Sequence, residues 1–361
     1  MLLELFLPLV KYVSALNVFR YITFRTAIAL VVALVFCFII GPRLIALLRR
    51  VKYGQNIRSD GPGTHLVKSG TPTMGGILIL AALALSVLLF GNLRNPYVLI
   101  ALFATVQFGI IGFVDDYLKI VRKDTRGLPA RYKMLMQLVV SASIVAALYL
   151  NPLRSPELTK IFIPFFADLS IDLEWLYIPF AIILLVGSSN AVNLTDGLDG
   201  LAIGLTLFVA TAFAAIAYLT GHFNIANYLK IPFISGAAEI TVFCGALIGA
   251  GLGFLWFNSH PAEVFMGDTG SLALGGTLGL MALMLKKELL LILVGGVFVV
   301  EALSVIIQVT VFKLRGKRVF KMAPIHHHYE LKGWHENKVI TRFWIIGLLL
   351  AILALATLKV R

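Results

Sequence analysis

Charge is what this sequence has least of. Asp, Glu, Lys and Arg make up 14% of its 361 residues and hydrophobic residues 59%, where an ordinary soluble domain carries about 25% charged residues. Cysteine is nearly absent. Cys37 and Cys244 each stand inside an apolar run, which excludes a disulfide framework and a cysteine-based zinc pattern. There is no GxxxxGK[ST] stretch, which argues against an ATP-driven machine, and "DDYLK" at 115–119 breaks the DDxxD motif of soluble prenyl synthases. No internal repeat, low-complexity tract or soluble domain interrupts the chain.

What is there instead is a series of apolar blocks, most long enough to cross a ~30 Å hydrocarbon core. Ten stand out, at about 27–48, 74–91, 97–114, 134–150, 176–189, 201–219, 237–256, 271–285, 289–312 and 340–358. Backbone polar groups in lipid must bond internally, and the period-2 alternation of barrel strands is missing, so these blocks are helices. The expectation is an all-α polytopic membrane protein of about ten transmembrane helices, forming one integral-membrane domain over 1–361. Residues 1–25 mix Leu, Phe and Val with Lys11, Arg20 and Arg25 and show no small-residue cleavage site. They read as an amphipathic lead-in helix lying on the membrane.

The formal net charge of +13 raises the question of nucleic acid, but its distribution points to topology. Lys and Arg crowd the connections at about 49–73, 115–133 and 313–339 and are sparse on the opposite side of the ten-span arrangement. By the positive-inside rule the crowded face is cytoplasmic and both termini are periplasmic. The remaining basic charge suits membrane lipids or anionic substrates, with no nucleic acid partner.

The same face collects the unusual polar residues, in cytoplasmic loops at about 49–73, 115–133, 190–200, 257–270 and 313–339. Asp115 and Asp116 end an apolar run. Pairing with Lys119 at helical spacing would satisfy them, yet adjacent carboxylates at a helix C-terminus repel each other and oppose the macrodipole. A bound cation would relieve both penalties. "NLTDGLDG" (193–200) offers Asn193, Asp196 and Asp199 among glycines that let backbone approach a ligand, although Asp-Gly steps also simply make turns and Asp199 could cap the next span. Asp268 in "FMGDTGS" suits an N-cap or a metal ligand equally. His326, His327 and His328 sit in a basic loop without a cysteine or spaced acid, so donation to phosphate oxygens fits them better than zinc. Glu301 lies within the ninth span, where an acid is a functional candidate or a structural hydrogen-bonder.

Aspartates, basic side chains and glycine turns gathered at a membrane surface suit metal-assisted phosphoryl transfer. Mg²⁺ takes carboxylates and substrate phosphates, and the protein's work is chiefly positioning and charge neutralisation. "GTPTMGG" (70–76), "GFVDDY" (112–117), "NAVNLTDGLDGLA" (190–202), "FMGDTGSLALGG" (265–276) and "PIHHHYELKGW" (324–334) together resemble the polyprenyl-phosphate N-acetylhexosamine-1-phosphate transferases. The match runs over nearly the whole chain in order, and the triple histidine followed by "YELKGW" is closest to their muramoyl-pentapeptide branch.

The resemblance implies an Mg²⁺-dependent transfer at the bacterial cytoplasmic (inner) membrane. Undecaprenyl phosphate and UDP-N-acetylmuramoyl-pentapeptide would give lipid I and UMP. It assigns Asp115 and Asp116 to the essential acidic pair, one of them orienting or deprotonating the lipid phosphate, and Asp268 to catalysis as direct Mg²⁺ ligand. Asn193, Asp196, Gly197 and Leu198 would hold the uridine, with Phe265 stacking on the base. Lys68, Thr73, Lys119, Lys123, Asp199, Asn258 and the three histidines would line the nucleotide and phosphate pocket. Homodimerisation is also implied. Direct attack is favoured over an aspartyl-phosphate intermediate because the lipid phosphate is already anionic. The rival readings are a UDP-GlcNAc:polyprenyl-phosphate transferase and, more remotely, a cation-coupled transporter.

Overall fold

A computed structural model describes residues 2–50, 70–122, 127–166 and 169–359. Lys68 and Lys123 lie outside these residues. The helices, in chain order, are α1 (Leu2–Leu9), α2 (Ile22–Arg50), α3 (Gly76–Phe90), α4 (Pro96–Arg122), α5 (Ala130–Leu150), α6 (Tyr177–Thr195), α7 (Leu201–Thr220), α8 (Phe223–Leu229), α9 (Ile240–Asn258), α10 (Gly267–Met284), α11 (Glu288–Val294), α12 (Gly296–Arg315), α13 (Ile325–Glu330) and α14 (Glu336–Ala356). The chain is an all-α polytopic membrane protein. Among the described residues eight helices are long and apolar enough to cross a bilayer, and α3 is a shorter apolar helix. With α10, these match the ten apolar blocks of the sequence.

Helix α10 is the axis of the bundle. From Thr269 to Met284 every residue is buried, and α4, α6, α3 and α7 pack around it. The rim helices show the reverse pattern. Phe38 and Ile39 on α2, Leu135 and Val139 on α5, Ile306 on α12, and Leu349 and Ile352 on α14 all face outward, as a lipid-solvated surface requires. Small residues let the inner helices close up. At Gly112 on α4 a Cβ would lie 2.0 Å from the Asp268 carbonyl oxygen of α10, so only glycine permits this approach. That contact brings the end of α4 against the start of α10, where the acids are.

Two expectations need correcting. The lead-in over 1–25 is not one helix: α1 ends at Leu9, a 3-10 turn follows at Ser14–Arg20, and α2 already begins at Ile22. Phe6, Phe19 and Phe24 pack in sequence, tilted and then edge-to-face, at 4.8 and 5.3 Å between ring centroids, folding the segment back on itself. The ninth apolar block is broken at Gly295, which separates α11 from α12 and closes the first with a bond to the Leu291 carbonyl. Adjacent glycines at 295 and 296 lower helix propensity enough to allow the break. Outside the helices, Lys160–Phe162 (β1) and Ser170–Asp172 (β2) form a small two-stranded antiparallel ribbon, with Ile161 opposite Ile171.

Candidate active site

Helix ends supply the site. The C-terminal part of α4 brings Asp115, Asp116 and Lys119; the first turn of α5 brings Lys133; the end of α6 brings Asn193; and the first turn of α10 brings Asp268, Thr269 and Ser271. Lys119 Nζ lies 2.5 Å from Asp115 Oδ2, 3.0 Å from Asp268 Oδ2 and 3.6 Å from Asp116 Oδ1. Lys133 Nζ reaches Asp268 Oδ2 at 2.6 Å and Asp115 Oδ2 at 3.8 Å. The Asn193 amide donates to Asp268 Oδ1 and to Ser271 Oγ, both at 2.8 Å.

The three carboxylates are not equivalent. Asp116 accepts the backbone N–H groups of Asp268 and Thr269 at 3.1 and 2.9 Å and the Thr269 hydroxyl at 2.8 Å. It therefore caps α10 from a neighbouring helix, where a negative charge is favoured by the helix dipole. Asp268 is not itself the cap, because the helix starts one residue earlier with Met266 at the N-cap position. Asp115 accepts from Leu128 N at 2.8 Å. Asp268 is the most open of the three, its side chain 15% exposed against 3% for the other two.

Each of the three offers an oxygen within 4.8 Å of the others'. Three carboxylates facing two ammonium groups leave one negative charge in excess. All three are hard oxygen donors, and that donor set fits a divalent cation such as Mg²⁺ better than a soft transition metal.

Beside this cluster runs the turn from Thr195 to Gly200. Asp196 ends α6, and burial, then the nearby charges of Asp268, Asp116 and Asp199, push its carboxyl well above the usual range. Asp199 does not cap α7. Its Oδ2 accepts from His260 Nδ1 at 2.9 Å and Ala262 N at 3.2 Å, while its own N–H donates to Glu336 Oε1 at 3.1 Å. Asn258 ties the turn to the loop before α10, accepting from Gly200 N at 3.0 Å and donating to the Val264 carbonyl at 2.8 Å. Phe265 follows in that loop and is half-buried, its N–H bonded to the Pro72 carbonyl and its carbonyl to Gly75 N. Thr73 is buried against Gly267.

The histidines diverge. His326 is fully buried, with Nδ1 3.1 Å from Glu301 Oε2. His327 Nδ1 meets Glu330 Oε2 at 2.7 Å. His328 accepts from Lys321 N at 3.1 Å, and burial, Lys332 and Lys321 together hold its imidazole below the usual range.

The fold thus brings together Asp115, Asp116, Asp268, Lys119 and Asn193, with Asp196, Gly197, Leu198, Asp199 and Asn258 on the adjoining turn. Lys133, Ser271, Thr269, His260 and Glu336 were not singled out from the sequence. Lys133 carried a readable signal, since an ammonium in the first turn of a helix opposes the dipole. His260 and Glu336 carried none.

The family model for glycosyl transferase family 4 matches residues 98–286, a range from Asp115 through Asp268. A phospho-N-acetylmuramoyl-pentapeptide-transferase of Thermodesulfovibrio yellowstonii is 56% identical over the full length of both chains. The chain belongs to the phospho-N-acetylmuramoyl-pentapeptide transferase family. The family's first signature matches residues 68–80, the segment whose Gly75 and Gly76 N–H groups bond to the Phe265 and Met266 carbonyls at 2.8 Å. The signature is therefore built directly against the start of α10. His326, His327 and His328 fall outside both matched ranges; His326 packs against Gly197 of the site's turn, while His327 and His328 bond within their own segment, to Glu330 and Lys321.

Proposed function

We propose that the chain transfers phospho-N-acetylmuramoyl-pentapeptide from its UDP-linked donor to undecaprenyl phosphate, releasing UMP and forming lipid I. The observation that carries this is the convergence of Asp115, Asp116, Asp268, Lys119 and Lys133 at one end of a membrane bundle, within a chain whose full-length relative bears that enzyme's name. The density of Lys and Arg on the same side supports a cytoplasmic location for this face of an inner-membrane protein.

Asp268, with Asp115 beside it, would hold Mg²⁺, and the ion when bound supplies charge neutralisation between two phosphate-bearing substrates. Asp116 fixes the start of α10, and with it Asp268, through its bonds to the Asp268 and Thr269 N–H groups. Asp116 has both oxygens engaged at the start of α10. Asp115 Oδ2 is held instead by the lysine side chains that would also meet a phosphate, so Asp115 is the acid assigned to orient the lipid phosphate. Lys119 and Lys133 offset the charge that accumulates as the phosphate oxygen attacks the β-phosphorus. The new P–O bond joins the lipid phosphate to the sugar phosphate, and the bond to the UMP oxygen breaks. Asn193, Asp196, Gly197 and Leu198 face the nucleotide, Phe265 offers its ring to the base, and Asp199 and Asn258 hold the turn in shape.

The test is UMP release by purified protein in detergent with undecaprenyl phosphate. The expected result is Mg²⁺-dependent release from UDP-N-acetylmuramoyl-pentapeptide, abolished by EDTA and restored by adding Mg²⁺. Release from UDP-GlcNAc alone would move the chain to the sister chemistry, and release from neither by folded protein would overturn the reading.

A further inference from the structure

Glu301 on α12 and His326 on α13 are both fully buried, and neither belongs to the acid cluster. Their closest approach is 3.1 Å, from Glu301 Oε2 to His326 Nδ1, but without hydrogen-bond geometry. Among the described residues, neither carboxylate oxygen of Glu301 and neither ring nitrogen of His326 has a hydrogen-bond partner. Burying a carboxylate and an imidazole costs free energy that a satisfied bond normally offsets. An acid within a membrane helix is kept at that cost for a reason.

The other edge of the imidazole shows what the pair faces. His326 Nε2 lies 2.3 Å from where a Cβ on Gly197 would stand, with Cε1 at 2.9 Å. Only a residue without a side chain fits between this ring and the turn. Gly197 sits between Asp196 and Leu198, and the turn is otherwise held by Asn258, His260 and Glu336 acting on Asp199 and Gly200. His326 is thus the floor beneath its first half. A floor needing only bulk would be served by Leu or Phe with no polar group to bury. A histidine backed by an acid adds direction, since a carboxylate close to one edge of the ring favours one orientation of the imidazole.

We propose that Glu301 and His326 form a positioning pair for the nucleotide-binding turn: Glu301 backs the imidazole from its Nδ1 edge, 3.1 Å away, and the ring supports Gly197 so that Asp196 to Asp199 meet a uridine nucleotide sugar. This rests on the transferase reading above. Neither side chain touches the reacting phosphates, so the pair acts on donor binding and not on the chemical step. The lipid phosphate is bound by other residues and should not sense it.

Steady-state kinetics of UMP release by full-length protein in detergent test this, varying each substrate in turn. Glu301→Gln keeps the shape and removes the charge. It is expected to raise KM for the nucleotide sugar ~10-fold, with kcat changed less than ~3-fold and KM for the lipid phosphate unchanged. Glu301→Asp should recover part of the loss. Glu301→Gln combined with His326→Gln should be no worse than the weaker single variant, as expected of residues acting through one contact. Gly197→Ala, which pushes the ring from the opposite side, should give the same KM signature and guards against a histidine variant that fails to fold.

Equal losses in kcat and both KM values, tracking a lower melting temperature and not rescued by aspartate, would reduce the pair to a structural contact and overturn the proposal. So would unaltered kinetics in all variants. A wild type that releases no UMP from any nucleotide sugar would remove the transferase reading and this proposal together. Normal wild-type turnover without the KM split removes the positioning role alone.

Discussion

The two ends of the bundle both bury charge, and they treat it differently. At the end opposite the acid cluster, Arg25 meets Glu239 through two bonds of 2.7 and 2.8 Å. Lys286 there meets Glu288 at 2.6 Å, with the Tyr177 hydroxyl donating to the same carboxylate oxygen at 2.7 Å and the Leu158 carbonyl accepting from Lys286. Arg25 and Lys286 are each matched by one acid. At the other end, three carboxylates crowd two lysines, and their common neighbour Asp268 remains partly open. Lys286–Glu288 is closed as well as balanced, whereas Glu239 is about as exposed as Asp268. It is therefore charge balance that separates the ends: balanced pairs hold helices together, and the unbalanced cluster is the one the proposed transfer would use. Burial alone does not separate the two, since Asp115 and Glu288 are both almost wholly inaccessible.

Substitution should pull the two ends apart. Asp268→Asn removes charge from the open cluster and is expected to lower kcat for UMP release by ~10³-fold or more, with the melting temperature nearly unchanged. A melting temperature that fell while residual activity stayed high would place Asp268 with the structural pairs. At the closed end the pattern reverses. Lys286→Met strands Glu288 in the interior and should cost ~3–5 kcal/mol of stability, read from thermal or denaturant unfolding, while turnover per folded molecule holds. Lys286→Met together with Glu288→Leu should recover much of that loss, because a well-packed apolar pair avoids the desolvation penalty. A double variant that stayed as unstable as the single, or that lost turnover while folded, would mean that the balanced cluster does more than hold helices.

Lys133 sharpens the comparison from inside the open cluster. Its ammonium lies 2.6 Å from Asp268, so Lys133→Ala should lower kcat/KM ~10²-fold, measured in excess Mg²⁺ to separate it from metal loss. If only stability changed, Lys133 would be an ordinary pairing residue like Lys286.

The sequence made the helices legible because lipid leaves the backbone few options, and apolar length alone marks a span. It made Asp115 and Asp116 legible because two adjacent carboxylates close an apolar run, although α4 continues past them to Arg122, so they are not at the helix end that the sequence suggested. Lys133 stands at the wrong end of α5, and its charge is answered across space by Asp115 and Asp268, a match that one helix at a time does not show. The break at Gly295 was hidden because the residues on both sides are equally apolar. The role of Asp116 was hidden for a different reason. Its partners are the N–H groups of Asp268 and Thr269, about 150 positions away, and no local pattern announces a cap supplied by another helix. His260 and Glu336 illustrate the same limit, since their meeting with Asp199 exists only once α9, α14 and the α6–α7 turn are packed.

Asp196 offers the finest distinction, because it adds a further acid to the open end without touching either lysine through any observed ion pair. Burial and the neighbouring charges of Asp268, Asp116 and Asp199 raise its carboxyl in the folded chain, so the folded state holds the proton more tightly than the unfolded one. The sign follows from linkage. The proton's contribution to stability is complete below the ordinary carboxylate range and is lost as pH rises through the raised folded value. Thermal melting in EDTA should therefore show wild-type stability declining as pH climbs out of the acid range. Asp196→Asn, which cannot ionise, should flatten that part of the decline and leave the acidic end of the curve unchanged. Adding Mg²⁺ should narrow the gap between the two proteins, since a dication near Asp268 relieves the repulsion that Asp196 feels. Identical pH profiles in EDTA would show that Asp196 carries no such strain, and that the excess charge of the open end is confined to Asp115, Asp116 and Asp268.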